Sequence, residues 1–131
     1  MKHFLVAIAL LPSSRHASHV VELENAPRTA SDAESLIAQM ELVYGSNALV
    51  TGWYDLNNEI GRNGRYSCFV SYRSQTIGGH GEGLVSLDLK EPVTDLRGLR
   101  RIEDYILARL KNEPNRVTKV NLTSYMPLVN D

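Results

Sequence analysis

The chain reads as an α+β domain: an antiparallel or mixed sheet of about six strands with two helices on one face, in the order ββαβββαβ. Three features predict this. Residues 65–74 alternate apolar and polar side chains, the two-residue period of a half-buried strand. Between Ser31 and Gly45, and again at about 95–111, apolar residues recur at three- and four-residue spacing, as on an amphipathic helix. Clusters of Gly, Pro and Asn cut the rest into short runs joined by turns, so most strands meet as hairpins.

The first strand, 2–11, is apolar on both faces from Phe4 to Leu11 and belongs in the middle of a sheet. The same run after Met1-Lys2-His3 also has the outline of a short signal segment. Arg15 and His16 intrude where small residues would be cleaved, and the strand is the better reading. A polar turn from Pro12 to Ala17 leads into a second strand, 18–24, ended by Asn25-Ala26-Pro27-Arg28. Ser31 is the expected N-cap of the first helix, with Asp32 in the first turn and Glu34 as its capping-box partner. Ala33, Leu36, Ile37, Met40 and Val43 make its apolar face, and Gly45 stops it.

The third strand is 48–55. The turn 57–64 ends in Asn63-Gly64, a strong hairpin signal, and opens the fourth strand at 65–74. A glycine-rich hairpin tip leads to a fifth strand at 84–89, which Pro92 ends. Thr94 is the expected cap of the second helix, and Leu96, Leu99, Ile102, Ile106 and Leu110 are its apolar stripe. Pro114 lies beyond that helix, and 116–125 reads as the sixth strand.

At 131 residues the chain has the size of one domain, 1–131, with 43% hydrophobic and 22% charged residues, enough apolar surface to build a core. The formal charge of −1 argues against a dedicated nucleic-acid binder, which carries a basic excess to meet phosphates. The lone Cys68 cannot form an internal disulfide, as expected of a reduced, cytoplasmic compartment. Between Tyr66, Phe69 and Val70 it reads as a small buried hydrophobe. No apolar run reaches the roughly 20 residues of a membrane-spanning helix, so no membrane role is expected.

One stretch is familiar in outline. Phe69-Val70-Ser71-Tyr72, a glycine-rich tip, Gly83-Leu84-Val85-Ser86-Leu87-Asp88, then Pro92-Val93-Thr94-Asp95-Leu96 and Leu99-Arg100-Arg101-Ile102-Glu103 resemble a group of small uncharacterised proteins of bacteriophages and prophages. The resemblance covers about residues 66–106. It implies a bacterial cytoplasm as the setting, and it carries no catalytic residue or cofactor with it.

Few residues could carry function. Gly78-Gly79-His80-Gly81-Glu82-Gly83 is the oddest run. It is no phosphate loop, because a strand follows it where a helix N-terminus should meet the anion, and no Lys-Ser/Thr pair is present. Its expected form is a mobile tip whose glycines supply positive φ. A binding role would rest on Gly79, His80, Gly81 and Glu82 ordering on a partner. His80 with Glu82, and with Asp55 or Glu59, could make an acid–base pair, but nothing in the sequence positions them. His3, His16 and His19 lack any recognisable zinc spacing and read as surface residues. Arg97 and Arg101 share a side of the second helix and could meet an acidic surface or a phosphate backbone, with Arg100, Arg109, Lys111 and an Arg100–Asp104 pair nearby. Trp53 and Tyr54, with Tyr66 and Tyr72, could form an aromatic patch on an open sheet face.

The expected function is therefore a small non-enzymatic accessory module that binds a protein partner or itself, with a homodimer as one form and with no cofactor and no metal. The alternatives are a small-ligand binder or enzyme using 76–83 and, more weakly, nucleic-acid binding through the second helix.

Overall fold

The computed structural model describes all residues but 14, 58, 62, 63, 111–116 and 129–131. Its elements run β1 Lys2–Leu10, β2 Arg15–Leu23, α1 Ala30–Tyr44, β3 Ala48–Asp55, β4 Tyr66–Thr76, β5 Gly79–Leu89, α2 Leu96–Leu110 and β6 Val117–Pro127. The α+β class and the order ββαβββαβ are those the periodicity predicts, and every strand pairing is antiparallel. The finer arrangement differs. The strands divide into two three-stranded sheets, β2-β1-β3 and β5-β4-β6, and each helix covers its own sheet. The Asn63-Gly64 signal, Pro114 and Lys111 fall on or against residues outside those described; Gly64 itself has φ +73°.

The first sheet explains why β1 is apolar on both faces. Phe4, Val6 and Ile8 point to α1, where they meet Leu36 and Met40. Leu5, on the opposite face, joins the second core with Val70, Leu99, Ile102 and Leu122. The first sheet is thus sandwiched between α1 and β6, so a central strand with two apolar faces is required.

Helix α1 starts two residues earlier than its Ser31 signal suggests. Thr29 is the N-cap: its Oγ1 accepts from the Asp32 amide at 3.1 Å, and the Asp32 carboxylate accepts from the Thr29 amide at 3.3 Å. The Arg28 amide, which also donates to this carboxylate, and then the Thr29 amide hold the Asp32 carboxyl below its usual range. Thr29→Ala should cost about 1 kcal/mol of stability in urea unfolding; an unchanged midpoint would show that water caps the helix equally well. Leu36 and Met40 alone are buried on this helix, while Ile37 and Val43 lie on its shoulder, 38% and 56% exposed. Gly45 ends it at φ +97°.

Helix α2 is capped by Asp95 rather than Thr94. The carboxylate one residue before the helix accepts from the Gly98 amide at 2.8 Å, the N3 contact of a cap. Leu99, Ile102 and Ile106 pack on Cys68, Val70 and Leu122. The helix leans over β6 and β2 and stands off from β5.

The largest local departure is the glycine-rich run. Gly79 to Gly83 are not a tip but the first half of β5, paired residue by residue with Tyr72 to Thr76. The turn is only Ile77-Gly78. None of these glycines has positive φ; among the described residues Gly45 and Gly64 do. At Gly83 the glycine makes room instead: a Cβ there would lie 2.3 Å from the Tyr72 ring.

Candidate functional site

Three arrangements gather polar or interactive side chains. The first joins the two sheets. Ser18 on β2 is fully buried, Glu103 on α2 is 4% exposed and Asn121 on β6 is 5% exposed. The Ser18 hydroxyl donates to Glu103 Oε2, and it accepts from Arg100 Nη1 at 3.0 Å and from Asn121 Nδ2 at 3.3 Å. Glu103 Oε2 also accepts from the Leu122 amide at 2.9 Å, and Arg100 Nη2 donates to the Ser18 carbonyl at 2.9 Å. Arg100 Nη1 closes the ion pair with Glu103 Oε1. Tyr44 at the end of α1 adds its hydroxyl to the same carbonyl, 3.3 Å away, and meets His19 Nδ1 at 2.9 Å. A proton on Nδ1 lets His19 donate to Tyr44 while Tyr44 donates onward. Burial lowers the pKa of His19, helped by the Arg100 charge, and raises that of the Tyr44 phenol.

A serine, a carboxylate and a histidine suggest nucleophilic chemistry, but their roles here are structural. Ser18 has no solvent access, and His19 is bonded to Tyr44 rather than to Ser18. Charge and hydroxyl are saturated by groups from β2, α2 and β6, as a buried network needs. The sequence reading missed this knot. One signal was legible: Glu103 stands four residues after Leu99 and three before Ile106, on the apolar side of its helix. Nothing local marked Ser18 or Asn121. Cys68 behaves as expected of a core residue: it is buried, and burial pushes its thiol up to about 11.

The second arrangement is a cleft of about 220 Å³ where the β1–β2 turn meets the β4–β5 tip, lined by Arg15, His16, Arg73, His80 and Lys119 among others. Of the expected binding residues, His80 and Gly79 line this cleft. Glu82 lies on the same outward side and faces Arg73 at 3.8 Å, and Gly81 packs against Ser74. Asp55 instead accepts from the Asn57 amide at 2.8 Å, an Asx turn after β3.

The third is the edge of β5 away from β4, which has no strand partner among the described residues. Beside it, between the end of β5 and α2, runs a groove of about 680 Å³ walled by Leu87, Leu89, Val93, Arg101, Ile102 and Tyr105 among others. The outer face of this sheet exposes Phe69, Leu84 and Met126 at 38%, 66% and 60%. Phe69 stands opposite Met126, so the three are near neighbours.

The other expected site residues do not converge. Trp53 is 37% exposed, whereas Tyr54 and Tyr72 pack on the second core, so the aromatic patch is divided. Arg97 and Arg101 are exposed on α2, but Arg101 lies 3.9 Å from Glu91, Arg100 is drawn into the buried knot in place of an Arg100–Asp104 pair, and Arg109 sits over the Tyr105 ring at 5.9 Å. Among the described residues no helix is long and apolar enough to cross a membrane. No protein-family model matches the sequence, and no curated protein is detectably similar to it.

Proposed function

We propose that this chain is a non-enzymatic interaction module whose working surface is the free edge of β5, and that the edge is taken by a second copy of the chain. The observation that carries this is the layout of β5 itself. An exposed edge strand presents unpaired N–H and C=O groups, and proteins that must stay monomeric blunt such edges with Lys or Pro. Residues 79–89 contain neither.

The strand also complements itself. Two copies paired antiparallel about Leu84 would set Gly79, Gly81 and Gly83 opposite Leu89, Leu87 and Val85 of the partner subunit, small against large on the inner face. On the outer face His80 would stand opposite Asp88 of the partner subunit, and Leu84 opposite its own copy. The exposed Ile77 would fall level with Glu91 of the partner subunit, at the mouth of the groove beside α2. The joined sheet has six strands, and its outer face carries the Phe69, Leu84 and Met126 cluster twice, an apolar face for a further protein. The setting we infer is a bacterial cytoplasm and an accessory role of the phage or prophage kind. That part rests on the pattern in 66–106.

Light scattering after size exclusion should give twice the chain mass at micromolar concentration, and Leu84→Lys should give a monomer, since it sets like charges face to face on the two-fold axis. Leu84 is 66% exposed, so the fold tolerates the change. Leu84→Cys should crosslink to a covalent dimer on mild oxidation, because the buried Cys68 cannot compete. A monomeric wild type would overturn the proposal, and a dimer that Leu84→Lys leaves intact would place the interface elsewhere.

A further inference from the structure

The cleft between the two hairpin tips has a composition unlike the rest of the surface. Arg15, Arg73 and Lys119, from three different strands, converge there on a chain whose net charge is −1. The one carboxylate paired to any of them among the described residues is Glu82, 3.8 Å from Arg73. That is an ion pair too long for a hydrogen bond, so the guanidinium donors stay available. The Arg73 side chain is only 19% exposed, on the central strand of its sheet between Glu82 of β5 and Asn121 of β6. His16 stands beside it, half-buried, and its pKa is lowered by burial first and then by the charges of Arg73 and His80, with Glu82 opposing. Like charges do not gather around a half-buried guanidinium without cost unless an anion offsets them.

We propose that this cleft binds a small phosphate-type oxyanion, gripped by the guanidinium of Arg73 together with Arg15, Lys119 and the His16 imidazole that line it. The space of about 220 Å³ suits a tetrahedral oxyanion with a few attached atoms and falls short of the roughly 300–1,000 Å³ that drug-sized ligands occupy. A planar guanidinium offers two parallel donors to two oxygens of such a group, which a lysine cannot. The cleft lies at the start of β5, where Ile77, Gly79 and His80 complete its lining, and the groove beside α2 lies at the other end of that strand.

Titration of the full chain with inorganic phosphate, followed by amide and imidazole NMR shifts, tests this. Phosphate should move the signals of His16, His80 and Arg73 in one saturable step. Arg73→Gln should weaken binding about tenfold or more. Arg15→Gln with Lys119→Gln should do so too, and because both residues are exposed this pair keeps the test valid if Arg73→Gln fails to fold. Arg97→Gln with Arg101→Gln on α2 should change nothing. Methyl phosphate in place of phosphate separates a monoester site, where it binds at least as well, from a site for the free ion, where it binds worse. No saturable shift in the cleft would overturn the proposal. So would a single-stranded oligonucleotide that shifts α2 instead, with an affinity falling steeply with salt.

Discussion

Glu103→Ala should lose about 3–5 kcal/mol of folding stability, the cost of removing one partner from a buried ion pair. The loss comes from what is left behind. The Leu122 amide and the Ser18 hydroxyl would keep no acceptor, and Arg100 would keep a charge beside a buried serine. Because Arg100 is 40% exposed, its guanidinium can turn to water, which favours the lower half of that range. Glu103→Gln retains the shape and an acceptor, so its cost should be smaller, about 1–3 kcal/mol. Guanidinium unfolding followed by circular dichroism measures both. A loss below about 1 kcal/mol for the alanine variant would mean that the apolar contacts of Leu5, Leu99 and Leu122 join the sheets without the knot.

Gly83→Ala should cost about 1–3 kcal/mol, as overpacking does. The added methyl would sit 2.3 Å from the end of the Tyr72 ring, so that ring, packed on the second core, must shift to admit it. The same change at Gly79, where a Cβ meets nothing within 4 Å, should be nearly neutral. The contrast separates two readings of the run 78–83. In a mobile tip both substitutions would be silent; in a paired strand only the one under Tyr72 is felt. Equal effects at the two positions would count against the strand.

How far each feature was legible follows from where its determinants lie in the chain. Strand β4 was readable because its period-2 pattern is written in consecutive residues, and α2 because Leu99, Ile102 and Ile106 lie within two turns. The caps were misread by one or two residues, Thr29 for Ser31 and Asp95 for Thr94, because several capping residues stand side by side and only the backbone geometry selects among them. The glycine-rich run was misread altogether. Glycine is depleted in strands by intrinsic preference, and the reason it sits in this one, the Tyr72 ring across the ladder, is eleven residues away. His80 and Glu82 were singled out in sequence, but their company, Arg73 and His16, comes from other strands.

What the sequence by itself determined is the class, the order of elements and the double-faced burial of β1, since these depend on local spacing and on which side chains avoid water. Only the tertiary structure decided that the six strands split into two sheets, that Ser18, Glu103 and Asn121 meet between them, and that Arg15, Arg73 and Lys119 share a cleft. Those outcomes depend on contacts between residues as many as 103 positions apart, such as Ser18 with Asn121. The chain closes such contacts only when apolar burial elsewhere compensates the entropy of the loop, and no local pattern records which pairing wins.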